Sequence, residues 1–330
     1  MKQSFIIGGY TKRLNTGLHE ILFNANTHKI EKKDLISSIS NPTYLCTNND
    51  RTLLFSIIQD TDSAGVIAYK KVESQWQEVS RMFASKINGC HIQYFEDTQS
   101  LYVSNYHEGL IDVYRFINDQ LDHIQRLHHT DQSKIHFTDI VADKSLLYAC
   151  DLGTDTIISY RIQKDGTLSK YADYKTHDEM GPRHFIIHPK QSKMYAIGEY
   201  DNHVTIFDID HDGHLTEKES LATIPNDYMD GASGAAIKIT KDGQYLYTST
   251  RFSNYLSVFK VLDDGQLERV QYIDSVGQIP RDFALSEDEN HILVPHQDSD
   301  FISIFQRNSK TGELTFLNND FEMPEAVCIL

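Results

Sequence analysis

RHFIIHPKQSKMYAIGEYDNHVTIFDIDHDGHLTEK, residues 183–218, is the stretch that decides the fold. It divides into four short pieces. RHFIIHP and KMYAIGE are apolar runs joined by a polar corner, and HVTIFDI alternates apolar with polar residues. HDGHLTEK turns at Asp212 and Gly213 into a polar run. Period-two alternation marks a half-buried strand. An Asp-Gly pair marks a tight hairpin, because glycine accepts the positive φ such a turn demands. The pieces therefore read as four antiparallel strands joined by short turns.

The same unit recurs along the whole chain. Its second piece returns as LLFSIIQ, SLYVSNY, LLYACDL, KMYAIGE, YLYTSTR and HILVPHQ. The marker positions are Phe55, Tyr102, Tyr148, Tyr195, Tyr247 and Leu293, with Ile6 of FIIGGY as a seventh, spaced 46 to 52 residues apart. Alternating segments follow each marker, among them GVIAYK, GLIDVYRF and YLSVFKV. The turns KDGTLSKY, HDGHLTEK, DDGQLERV and KTGELTFL close several units. No segment carries a sustained helical period. Seven units of four strands predict an all-β, seven-bladed β-propeller, with residues 1–330 as one domain. One such sheet cannot bury both faces alone, whereas a ring of sheets buries each against its neighbour. MPEAVCIL at 323–330 matches the first strand of a unit, IPRDFALS, and residues 1–40 supply the other three. The C-terminal strand is thus expected to complete the N-terminal blade and seal the ring.

Charge narrows the function. With 31 basic and 47 acidic residues the formal charge is −16, which disfavours nucleic acid as a partner. No apolar run is long enough for a bilayer, and MKQSFIIGGYTKR lacks a secretory apolar core, so a membrane partner is not expected and a cytoplasmic location is. Cys46, Cys90, Cys150 and Cys328 are far apart and read as reduced thiols.

The repeat itself locates a site. The first strand of a blade lines the channel and the second runs back beside it. The start of one and the end of the other therefore open on one mouth. The position twelve before each marker holds Thr43, Cys90, His136, Arg183, Ala235 and Arg281, with Glu325 in the closing blade. The position four after holds Tyr10, Gln59, Tyr106, Leu152, Glu199, Arg251 and Gln297. Asn105, Asp151, His91 and His184 adjoin these offsets. Three arginines, carboxylates and histidine converging in an acidic protein suit a small anion, since a guanidinium offers forked donors to carboxylate or phosphate. DGASGA at 230–235 offers backbone N–H groups to an anion, and DLGTD at 151–155 a weak calcium pattern.

These segments resemble the seven-bladed propeller lactonases, similar to the propeller-type bacterial 6-phosphogluconolactonase and the fungal 3-carboxy-cis,cis-muconate cycloisomerase. The matching pieces include GGYTKR (8–13), NPTYL (41–45), NGCH (88–91), SNYHEG (104–109), GPRHFIIHP (181–189), GEY (198–200), TKDGQYLYTSTR (240–251) and GQIPRDF (277–283). The resemblance implies a lactone hydrolase of carbohydrate metabolism, acting on 6-phosphogluconolactone in the pentose phosphate pathway. It also implies His136, Arg183, Glu199 and Arg251 as the active site. Relatives often carry P-H-x-H where this chain has KIHFTD, which keeps only His136. Glu199 or His136 is then the general base and Arg183 the oxyanion partner. Arg251 and Arg281 would hold the substrate's anionic group. His91, Asn105, His184 and Gln297 complete the expected binding residues, and no metal or cofactor is called for. Cycloisomerisation of a muconate, a calcium-dependent lactonase and a non-catalytic propeller scaffold are the alternatives.

Overall fold

A computed structural model of the chain describes residues 2–330. It contains 28 strands and three single-turn 3-10 helices. The strands form seven four-stranded antiparallel sheets, six of them in simple sequential order from the axis outward. Blades 1 to 6 span 45–85, 91–128, 135–175, 182–222, 233–274 and 284–322. Blade 7 takes its inner strand, Ala326–Ile329, from the far end of the chain, and Lys2–Gly9, Leu18–Asn24 and Lys29–Ser37 from the beginning. The closure expected from MPEAVCIL is present: Ile7 pairs with Ile329, and Ile6 and Leu330 exchange backbone bonds of 2.8 and 2.9 Å. No helix among the described residues is long and apolar enough to cross a membrane. The four cysteines are free, and three of them are buried.

The apolar residues divide into seven clusters, and each lies between two adjacent blades. Phe137, Tyr148 and Cys150 of blade 3 meet Phe185, Met194 and Phe207 of blade 4, for example. Ile6 and Leu18 of blade 7 likewise meet Leu54 and Ile67 of blade 1. The polar fourth strand is the outer rim, as Leu215–Ala222 shows with its largely exposed run.

The marker residue has a second job beyond packing. Tyr102 Oη donates to the carbonyl of Gly166 in the next blade, at 3.0 Å. Tyr148 does the same to Gly213 (2.5 Å), Tyr195 to Gly265 (2.9 Å) and Tyr247 to Gly312 (2.9 Å). Each acceptor is the turn glycine between the third and fourth strands, with φ between 75° and 88°. A Cβ at Gly213 would come within 2.3 Å of Leu146 Cδ1, so the turn needs glycine for close approach as well as for φ. The aromatic marker and the Asp-Gly or Thr-Gly turn are thus two halves of one latch between neighbouring blades.

One strand differs from expectation. RDFALSE reads as a strand from Arg281, but only Ala284–Leu285 pair. Arg281 stands before them on a segment that leaves Ile279 at φ 58°.

Candidate active site

Two irregularities in the ladder create the site. In blade 3, Ile135 faces Asp151 and Phe137 faces Cys150, so His136 is an extra residue with no partner across the ladder. In blade 4, Pro182 faces Gly198 and His184 faces Ile197, which leaves Arg183 as the extra residue. A bulge of this kind turns one side chain out of the pleat and re-aims it. Here both are turned into the same pocket. Blade 5 is irregular at the equivalent place, between Gly234 and Ile237.

The pocket encloses about 400 Å³. Ten of the fourteen offset positions line it, among them His136, Arg183, Glu199, Arg251 and Arg281, so the repeat arithmetic locates the mouth. The Glu199 carboxylate is its centre. Oε2 accepts from Arg183 Nε at 2.9 Å and from Arg251 Nη2 at 2.9 Å. Arg183 also donates through Nη1 to the Ala235 carbonyl (2.5 Å) and to His184 Nε2 (3.1 Å). Arg251 donates to Ser233 Oγ at 2.5 Å. The start of the first strand of blade 5 therefore serves the site through a hydroxyl and carbonyls, where DGASGA suggested N–H groups. Gly234 is needed for contact, because a Cβ there would meet the Gly198 carbonyl at 2.0 Å.

Burial sets the protonation states. Arg183 is 1% exposed. Burial, with Arg251 and Arg281 close by, pushes its guanidinium down to about 9 against the pull of Glu199. Arg251 is lowered for the same reasons, burial first and then Arg281. Burial alone would raise Glu199, but the three arginines together hold it below the usual carboxylate range. His136 is 4% exposed, and burial followed by the field of Arg183, Arg281 and Arg251 drives it well below its ordinary value. It is a neutral imidazole at physiological pH, and its Nδ1 is buried without a hydrogen-bond partner among the described residues.

The remaining expected residues fall into three groups. His184 lines the pocket and packs its ring on Phe137 at 4.5 Å. His91 sits one layer back, wedged between Tyr44 (4.4 Å) and Phe137 (4.2 Å), and does not line the pocket. Gln297 borders an adjoining depression. Asn105 is committed elsewhere: its amide donates to the Ile87 carbonyl and Glu108, and its oxygen caps the Glu108 N–H. Asp151 accepts from Lys134 N, Gly153 N and the Thr154 hydroxyl. Asp155 accepts from Gly181 N at 2.7 Å and Glu179 N at 3.1 Å, and so fixes the loop that leads into Arg183. Glu325 likewise turns its carboxylate to four successive backbone N–H groups, Lys12 to Asn15, rather than to the channel. Sequence reasoning missed Tyr44 and Lys12, which also line the pocket. The NPTYL and GGYTKR segments contain them, but neither falls on a marker offset.

The family model for Lactonase, 7-bladed beta-propeller, matches residues 4–330. The chain is 32% identical over 342 residues to an uncharacterized protein of Lactococcus lactis, covering 100% of this chain and 99% of that one. It is 28% identical over 338 residues to the 6-phosphogluconolactonase of Bacillus subtilis, covering 98% and 96%. A crystal structure of a putative 6-phosphogluconolactonase from Bacteroides fragilis superposes with a TM-score of 0.91 at 25% identity, covering 100% of this chain and 97% of that one.

Proposed function

We propose that this chain, which belongs to the seven-bladed β-propeller lactonase family, hydrolyses a small anionic sugar lactone, with 6-phosphogluconolactone to 6-phosphogluconate as the first candidate. The observation that carries this reading is a single carboxylate shared by two buried arginines, beside a neutral buried histidine, in a pocket the size of a small molecule. The Bacillus subtilis relative supports the choice of substrate by name.

A sugar lactone is a cyclic ester. Water attacks its carbonyl carbon, and His136 accepts the proton that water gives up. The carbonyl oxygen becomes an oxyanion, and Arg183 stabilises that charge from a position already fixed by Glu199 and Ala235. The ring C–O bond then breaks, and the leaving alkoxide takes the proton from His136. Glu199 orients both arginines. Its Oε2 is taken by both of them, whereas His136 Nδ1 has no hydrogen-bond partner among the described residues, which favours His136 over Glu199 as the base. Binding of an anion helps this chemistry, because it offsets the positive field that makes protonated His136 unfavourable. The scheme needs side chains alone.

The test is the hydrolysis of a lactone panel by wild type, Arg183→Ala and Arg251→Ala. Each variant is expected to lose about 10²–10³ in kcat/KM on the preferred lactone. Wild-type rates in both variants would remove these residues from the mechanism. A parallel assay with carboxymuconate decides between hydrolysis and lactone formation.

A further inference from the structure

Beside the pocket lies a second depression of about 420 Å³. The two cavities share a wall made by Tyr10, Lys12, Arg251 and Arg281. The cations in that wall are not equivalent. Arg251 is occupied by Glu199, Ser233 and the Gly234 carbonyl. Arg281 forms no hydrogen bond or ion pair among the described residues. Lys12 has its ammonium over the Tyr10 ring at 4.7 Å and pairs with no carboxylate among them. The pocket thus holds four cations, Lys12, Arg183, Arg251 and Arg281, against one lining carboxylate, Glu199, a difference of 4 − 1 = +3. In a chain of net charge −16, that local excess calls for an anionic ligand carrying more than one charge.

We propose that Arg281 and Lys12 form the seat for the dianionic group of the substrate. A phosphate would project from the lactone ring through the shared wall toward the second depression. This inference rests on the lactonase reading above and adds to it the residues that select a phosphorylated lactone over a neutral one. The Arg183–Glu199–Arg251 bed is left to the ester.

The wall is built in advance of any ligand. Glu325 accepts the backbone N–H groups of Lys12 (3.0 Å), Arg13 (2.8 Å), Leu14 (2.8 Å) and Asn15 (3.1 Å), which fixes the loop that carries Lys12. Arg13 is tied to Asp300 at 2.8 and 2.9 Å, so it is not a third free cation. Across the depression stand Phe252 and Ile279, with φ of 68° and 58°. Left-handed backbone at a β-branched residue is an outlier that its surroundings must hold. Asn254 Oδ1 accepts from Ile279 N at 2.9 Å, and the Ile279 carbonyl accepts from Gln297 N at 3.2 Å. Asp298, which also borders the depression, takes the Gln297 amide at 3.2 Å. Two unpaired cations on a prefixed loop and a held segment offer a dianion its contacts with little ordering left to do.

The experiment compares 6-phosphogluconolactone with glucono-δ-lactone at fixed ionic strength, in wild type, Lys12→Ala, Arg281→Ala and the double variant. Wild type should prefer the phosphorylated lactone. The preference, as a ratio of kcat/KM values, should fall about 10–100-fold in the double variant, mainly through KM. Arg281→Lys should keep part of it, which separates lost charge from lost folding. An unchanged ratio in the double variant, or a wild type that favours the neutral lactone, overturns the inference while leaving the lactonase reading in place. If wild type hydrolyses neither compound, the lactonase reading fails and the seat is judged by titration with 6-phosphogluconate and gluconate. Tighter binding of the phosphorylated acid, lost in the double variant, then upholds it, and equal binding overturns it.

Discussion

Replacing Glu199 by Gln tests whether charge, rather than shape, holds the site together. Gln has nearly the same volume and still offers an oxygen to Arg183 and Arg251. Only the negative charge is removed. Both guanidinium groups stand 2.9 Å from the same oxygen, and their side chains are only 2% and 9% exposed. Two unit charges about 4 Å apart interact by roughly 4 kcal/mol at an effective dielectric of 20. Breaking a buried pair costs about 3–5 kcal/mol. The retained hydrogen bonds and the open pocket bring the expected loss to roughly 2–3 kcal/mol. At about 2 °C per kcal/mol for a chain of this size, Tm should fall by about 5 °C. The pH dependence adds a stricter check. Glu199 is held below its ordinary value in the folded protein, so its stabilisation is complete above the unfolded value of 4.5 and is lost as pH falls through the lower folded value. Urea titrations at pH 7 and at pH 3 should therefore show a gap between wild type and Glu199→Gln that narrows in acid. A variant as stable as wild type at pH 7, or a gap of equal size at both pH values, would falsify the charge argument.

Two further expectations follow from the same geometry. The pH profile of kcat/KM should show no inflection near 6.5, because His136 is already neutral there, and should decline above about 9 as Arg183 loses its proton. A histidine-like acid limb at 6.5 would remove buried His136 from the role of base. At the blade seams, Tyr195→Phe should cost about 1–2 kcal/mol in a denaturant titration, since it leaves the Gly265 carbonyl without its 2.9 Å donor. An unchanged midpoint would show that the ring alone, and not the hydroxyl, is what the seam requires.

The fold was legible because it is repeated. Any one of LLYACDL or KMYAIGE is ambiguous, but a recurrence at near-constant spacing leaves few architectures, and the Asp-Gly turns fix the direction of the last hairpin. The mouth was legible for the same reason: equal offsets in equal blades reach equal heights. What stayed hidden is what breaks the repeat. The bulges at His136 and Arg183 add a residue to one strand, and nothing in KIHFTD or GPRHF announces it. Offset arithmetic also assumes that side chains at one height point the same way. Glu325 and Asn105 do not, because each has a nearer set of backbone partners. Lys12 lies on a loop within blade 7 and Tyr44 on the connection from blade 7 to blade 1, where no periodicity reaches. Conversely, the tyrosine of the marker was visible as a pattern long before its reason, a glycine carbonyl in the neighbouring blade, could be known.

That latch is not distributed evenly around the circle. The four seams from blade 2 to blade 6 have it, whereas Phe55, Leu293 and Ile6 carry no hydroxyl at the seams flanking blades 7 and 1. The propeller is therefore a stiff arc joined by a softer one, and the softer arc contains the junction where the two ends of the chain meet. Amide hydrogen exchange should run fastest there. Breathing at the softer seams would leave His136, Arg183 and Glu199, all carried by the latched blades 3 and 4, in register with one another.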